Sequence, residues 1–150
     1  MFVNLTIPIY KFKFKKYNEK IYLWDSIRSK YVKYTQEEWV RQNFIMFLVH
    51  NMGYIKNLIS LEKTFSNNNK LMRYDVLIYK NNVPKLLIEC KNPSIDLDNR
   101  LIQQITTYNY KLKVPFIIIT NGIKFICLKI CYHNTASYSF LDHIPLYSEL

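Results

Sequence analysis

At 150 residues, 49% of them apolar, the chain is long enough for one domain with a buried core, and its formal charge of +10 favours a polyanionic partner, nucleic acid first among them. No apolar run approaches the roughly 18 residues that cross a bilayer and no secretory leader opens the sequence, which excludes a membrane protein and points to the cytoplasm. Cys90, Cys127 and Cys131 form an odd set without CxxC spacing, which argues against a disulfide framework or a standard zinc site even with His133 nearby. Cys127, Cys131 and His133 read as core residues on or after a strand.

Residues 1–34 read as an extension with two strands. In Tyr10-Lys11-Phe12-Lys13-Phe14-Lys15 aromatic residues and lysines alternate strictly, so one face meets the protein and one basic face meets water. Such an edge suits phosphate contacts, and it equally suits a strand that charge keeps from aggregating. Trp24 and Arg28, close together in Tyr22-Leu23-Trp24-Asp25-Ser26-Ile27-Arg28, read as packing that anchors the extension. Thr35-Gln36-Glu37-Glu38 is a capping box that opens a helix to about residue 51. Trp39, Val40, Phe44, Phe47 and Leu48 form its one broad buried stripe, and Gly53 is placed to end it. Glu38 is either a cap alone or a carboxylate projecting towards the sheet.

A strand-like segment follows over 54–65, then a polar turn over 66–70. Strands over 73–79 and 86–91 make a hairpin across the polar connection 80–85. A second helix runs from about 96 to 112, with Leu101, Ile105, Tyr108 and Leu112 as its stripe and Gln104 and Tyr108 on a shared face. Residues 115–120 form a buried strand, Asn121-Gly122 a turn and 123–131 the returning strand; 132–150 read as a tail packed on the body.

The hairpin holds the chemistry. Alternate side chains of a strand share a face, so Glu89 and Lys91 point one way and Leu86, Ile88 and Cys90 the other. A hairpin symmetric about Asn82 sets Asp75 opposite Glu89, with Cβ atoms about 5 Å apart, where two like charges repel unless a cation compensates them. A divalent metal supplies that compensation through carboxylate oxygens. Glu-x-Lys is often only a solvated pair; its place at the end of the apolar run Leu86-Leu87-Ile88 argues for a site.

The order helix, strand, strand, strand, helix, strand, with Asp75 on the second strand and Glu89-Cys90-Lys91 on the third, resembles the PD-(D/E)xK nuclease superfamily. The closer likeness is to the amino-terminal nuclease domain of type I restriction enzyme R subunits. It is carried by Thr35-Gln36-Glu37-Glu38-Trp39-Val40-Arg41-Gln42, by Arg73-Tyr74-Asp75-Val76, by Ile88-Glu89-Cys90-Lys91, and by Gln104 with Tyr108, which match a Gln-xxx-Tyr motif. Thr120-Asn121-Gly122 resembles the turn after the next strand of that group, and Tyr74 stands where Pro usually precedes the first acid. The resemblance implies an α/β fold with a restriction-endonuclease-like αβββαβ core, a mixed sheet flanked by helices, in a single domain 1–150 on which 1–34 packs as an N-terminal β extension.

What the resemblance implies for function is Mg²⁺-dependent hydrolysis of DNA phosphodiester bonds, with Mn²⁺ as a substitute. The nuclease is expected to stand alone, since no Gly-x-x-x-x-Gly-Lys-Ser/Thr loop of a helicase motor is present. Asp75, Glu89 and the main-chain carbonyl of Cys90 would hold the metal. Lys91 would orient the water and stabilise developing charge, and Glu38, with Glu37 as its fallback, would complete the metal shell. Gln104 and Tyr108 would touch the scissile strand or brace Lys91. Arg41, Arg73 and Tyr108 are the expected DNA contacts, RNA remaining open. A homodimer, or a separate motor or specificity subunit, is the expected assembly. The alternative is a non-catalytic nucleic-acid-binding module of the same fold, whose thirteen tyrosines and many lysines clamp a strand. In a third reading the charge reflects compositional drift in the coding sequence only.

Overall fold

A six-stranded mixed sheet forms the body of the chain, in a computed structural model that describes residues 3–62, 64–67, 70–133 and 135–150. The strands are β1 (Phe14–Tyr17), β2 (Lys20–Asp25), β3 (Lys30–Lys33), β4 (Ile59–Leu61), β5 (Thr64–Asn67), β6 (Lys70–Arg73), β7 (Val76–Lys80), β8 (Val83–Cys90), β9 (Phe116–Thr120), β10 (Phe125–His133) and β11 (Thr135–Leu141). The helices are α1 (Gln36–Asn51) and α2 (Asn99–Leu112). The main sheet has the order β11-β10-β9-β8-β7-β4, and β8 and β9 run parallel, so α2 serves as the crossover that a parallel pair requires. Reading α1-β4-β7-β8-α2-β9 along the chain gives the expected αβββαβ core.

Both faces of the central strands are apolar because both are covered. Leu86, Ile88 and Cys90, with Val76, Ile78 and Ile118, pack under Val40, Phe44, Ile45 and Leu48 of α1. Leu87, with Leu77, Ile117 and Ile119, packs under Ile102 and Ile105 of α2. Full burial of an aliphatic side chain of this size stabilises by roughly 1.5–3 kcal/mol. A one-residue slip of β8 would turn Glu89 and Lys91 into core, so this burial fixes the register.

Asn81 and Asn82 make the β7–β8 turn with φ of 53° and 61°, the left-handed pair that a two-residue hairpin needs and Asn tolerates. The turn is centred half a residue before Asn82. A bulge between Ile78 and Tyr79 restores the offset, so that Val76 pairs with Ile88 and the residue before it is aligned with Glu89. That residue, Asp75, leaves the ladder: its Oδ2 accepts the Cys90 amide at 2.8 Å, and its carbonyl accepts the Glu62 amide at 3.0 Å. The strand expected over 73–79 is therefore split at Tyr74-Asp75 into β6, which pairs with β5, and β7. The segment 54–65 likewise divides into a 3₁₀ turn, Lys56–Leu58, followed by β4 and the start of β5. Of the expected polar turn 66–70, positions 68 and 69 lie outside the described residues.

Thr35 caps α1, its hydroxyl accepting the Glu38 amide at 3.0 Å. Residues 38–45 are buried without interruption. One stripe was expected; instead the extension covers the outer side, with Phe12, Phe14 and Tyr34 against Trp39 at centroid separations of 5.5, 6.4 and 6.2 Å. The extension forms its own antiparallel sheet, β1-β2-β3, one strand more than expected. Asp98 caps α2, which begins at Asn99 rather than 96. Residues 135–141, expected within a tail, pair along β10 as β11. Their side chains are mostly exposed, so no hydrophobic alternation marks them. Cys127 is core, whereas Cys131 and His133 are exposed, a correction to the core reading. No described helix is long and apolar enough to cross a membrane.

Candidate functional site

The end of β8, the break at Asp75 and the first turn of α1 converge. Glu89 and Lys91 lie one pleat apart on one face, and their charged groups meet at 2.6 Å. The Lys91 amide donates to the Thr120 carbonyl at 2.8 Å, so the lysine remains fixed by β9 although β8 has ended. Asp75, 6% exposed, offers its second oxygen, Oδ1, to Arg41 Nη2 at 3.1 Å.

The electrostatics tie these groups together. Burial raises the pKa of Glu89, and the charge of Asp75 adds to the effect while the hydrogen bond from Lys91 opposes it. Burial and then Asp75 also raise the pKa of Glu37, against Arg41, Lys91 and Arg73. For Lys91 burial works against the charge, but Glu89, Asp75 and Glu37 together outweigh it and hold the pKa above its ordinary value. Lys91 thus bonds Glu89 and feels the charges of Asp75 and Glu37.

Of the two acids that open α1, Glu37 is the one whose charge acts on Glu89 and Lys91, while its carboxylate pairs with Arg41 at 3.3 Å. Glu38 is 6% exposed, its Oε1 accepting Arg28 Nη2 at 2.7 Å and Gln42 Nε2 at 2.8 Å while Oε2 accepts Arg41 Nη1. Two guanidiniums and an amide thus hold the oxygens of Glu38, which was expected in a metal shell. Arg41, an expected DNA contact, is 2% exposed and pairs with Glu37, Glu38, Glu62 and Asp75. Arg73 lies at the solvent rim, 3.7 Å from Glu62. Gln104 donates to the Tyr108 hydroxyl at 2.7 Å, as their spacing leads one to expect. Among the described residues neither is hydrogen-bonded to Lys91, whose ammonium is given to Glu89, so the expected bracing is absent.

Sequence reasoning missed the support behind the acids. Arg28 binds Asp25, Glu62 and Glu38 at once, locking the β2–β3 loop onto α1. Asp25 Oδ1 accepts the amides of Ile27 and Arg28 at 2.7 and 3.0 Å, an Asx turn that its Asp-Ser start could have revealed. Glu62 carried no local signal. Arg28, Lys30, Lys33 and Arg73 line a cleft of about 450 Å³ together with Glu37, Glu38 and Glu62, whereas Asp75, Glu89 and Lys91 do not line it. A larger groove of about 800 Å³ between α2 and β10–β11 contains none of these groups.

The donor set suits a hard divalent cation. Asp75, Glu89 and Glu37 offer carboxylate oxygens, and the repulsion from Asp75, which adds to burial in raising the pKa values of the two glutamates, is what a bound cation relieves. As placed, no three His, Cys, Asp or Glu side chains among the described residues are gathered as a ligand set; Arg41 and Lys91 hold Asp75 and Glu89.

No curated protein matches the chain significantly. Among solved structures, the fragment assigned to an HsdR subunit of a type I restriction enzyme from Vibrio vulnificus YJ016 is similar with a TM-score of 0.59 at 20% identity. The match covers 77% of this chain and 24% of that one, so the chain spans about a quarter of that fragment's length. At this identity the likeness shows the shared fold. Residues 36–145 match the family described as type I restriction enzyme R protein N terminus. That match runs from the first turn of α1 to the segment after β11 and takes in every residue of the carboxylate cluster, and the chain belongs to this family.

Proposed function

We propose that the chain is a metal-dependent nuclease hydrolysing DNA phosphodiester bonds, with Asp75, Glu89 and Lys91 as its working residues. One observation carries the reading: Glu89 and Lys91 meet at 2.6 Å at the end of β8, and the charge of Asp75 acts on both. Asp75 and Glu89 would hold Mg²⁺ or Mn²⁺, and Glu37 is the acid of α1 near enough in charge to join them. The Cys90 carbonyl would be a further ligand, since within a strand it points to the same side as the Cys90 amide, which already meets Asp75. The ion, when bound, supplies Lewis-acid stabilisation of charge at phosphorus and a more acidic water.

Lys91 acts as a charge rather than a base. Its neighbours hold it protonated, so it orients the attacking water and offsets charge developing on the phosphate oxygens. Arg73 and the lysines of the cleft rim would bind backbone phosphates, which makes affinity salt-dependent. DNA and other restriction subunits, among them a motor or specificity chain, are the partners this reading assigns. A second reading, a binding module without chemistry, draws on the fact that Arg41 and the Cys90 amide already hold both oxygens of Asp75.

Cleavage of labelled plasmid, linear, branched and single-stranded DNA in Mg²⁺, Mn²⁺ or EDTA separates the two. The expected result is metal-dependent cutting that Glu89→Ala and Lys91→Ala each lower by at least about 10²-fold while binding survives. Binding without cutting by the unaltered protein on every substrate would leave the binding module.

A further inference from the structure

The outer face of the β1-β2-β3 sheet carries rings and lysines in alternation and no carboxylate. In an antiparallel sheet, paired residues share a face. Phe14 pairs with Leu23 and Leu23 with Val32, and this row lies on the inner side, where Leu23 is fully buried and Phe14 meets Trp39. The next row, Lys15, Tyr22 and Lys33, therefore faces outward. So does the row beyond it, in which the Lys13 carbonyl accepts the Trp24 amide and Trp24 pairs with Tyr31. Tyr17 and Lys20 complete the face.

Every residue of this face is exposed or half-buried. Trp24 and Tyr31 stand edge to face at 5.1 Å, and the Lys15 ammonium lies 5.9 Å from the Tyr17 ring. An aromatic row flanked by cations on a small sheet matches what unpaired bases and their phosphates require: flat rings for stacking and positive charge along the backbone. Duplex DNA buries its base faces and could use only the lysines. The position fits as well, because Tyr31 and Lys33 also line the cleft that holds Glu37 and Arg73.

We propose that this outer face is a binding platform for single-stranded nucleic acid, which stacks bases on Tyr22, Trp24 and Tyr31 and holds phosphates with Lys13, Lys15 and Lys33. The platform leads the strand to the cleft that Glu37 and Arg73 line. Delivery of a substrate there rests on the nuclease reading; binding on the platform does not.

The test is fluorescence anisotropy in EDTA with labelled oligothymidylate, the matching oligouridylate and a duplex of equal length, for the unaltered protein, Tyr31→Ala, Trp24→Ala and Lys15→Ala/Lys33→Ala. Circular dichroism and melting confirm that each variant is folded. Single strands are expected to bind more tightly than duplex. Tyr31→Ala and Trp24→Ala should each weaken single-strand binding about tenfold. The double lysine variant should lower the slope of log affinity against log salt by about 1.4, at roughly 0.7 per phosphate contact. Equal affinity for duplex and single strands, or ring variants that bind like the unaltered protein, would overturn the platform. Parallel cleavage assays with Glu89→Ala keep the two proposals apart: loss of cutting there with unchanged platform binding leaves both standing, and platform binding by a protein that cuts nothing removes the nuclease alone.

Discussion

Successive residues of a helix are turned by about 100°, so two adjacent glutamates in one turn meet different neighbours. Glu38 points into Arg28 and Arg41, whereas Glu37 keeps a side chain 40% exposed and senses Asp75 and Lys91. Glu38→Gln should therefore cost stability, roughly 3 kcal/mol, because the buried Arg41 and the partly buried Arg28 lose their charged partner; a denaturant melt checks it. Glu37→Gln should leave the melt within about 0.5 kcal/mol of the unaltered protein and lower metal-dependent cleavage instead. The pH dependence follows from the raised pKa values of Glu89 and Glu37. An acid raised on folding contributes stability that is fully present below its unfolded pKa and lost as pH rises through its folded pKa. The metal-free protein should accordingly gain stability from these two groups as pH falls from neutral towards the ordinary carboxylate range, and Glu89→Gln should flatten that slope in melts taken across the range. Mg²⁺ affinity should move the opposite way, strengthening as pH rises, with proton release measurable by calorimetry in buffers of different ionisation enthalpy.

Among the elements, the β2–β3 loop matters beyond its length. Its Arg28 joins Asp25, fully buried, to Glu38 on α1 and Glu62 after β4. Arg28→Ala removes the cation common to three carboxylates and should destabilise by about 3 kcal/mol or more. The check is a melt compared with Arg28→Lys, which keeps the charge but not the fork and should recover part of the loss. The hairpin β7–β8 was legible because local rules agree there: an apolar run, an Asn-Asn turn and period-two alternation put Glu89 and Lys91 on one face. The break at Asp75 was not, since it depends on a side chain replacing a backbone carbonyl across the hairpin. β11 was not legible either, because an exposed edge is held by its ladder and leaves no hydrophobic pattern.

At the scale of the molecule, the N-terminal segment and the turn after β9 lock together. Gly122 has φ of 81°, and a Cβ there would stand 2.6 Å from Leu5 Cδ2 and 3.0 Å from Val40 Cγ2, while its carbonyl accepts the Thr6 amide at 2.9 Å. Gly122→Ala combines left-handed backbone with overpacking and should cost roughly 1–3 kcal/mol. It should also expose the first residues to limited proteolysis before the body unfolds.

The amino-acid sequence by itself determined the αβββαβ order and the shared face of Glu89 and Lys91, because these rest on periodicity, capping and turn chemistry within a few residues of one another. Tertiary structure alone decided that Glu37 is the acid of α1 whose charge acts on Glu89 and Lys91, that Arg41 is a buried strut, and that the extension wraps α1 on its outer side. Each of those outcomes turns on partners brought from distant segments, Arg28, Glu62 and Trp39 above all, whose meeting no local pattern encodes.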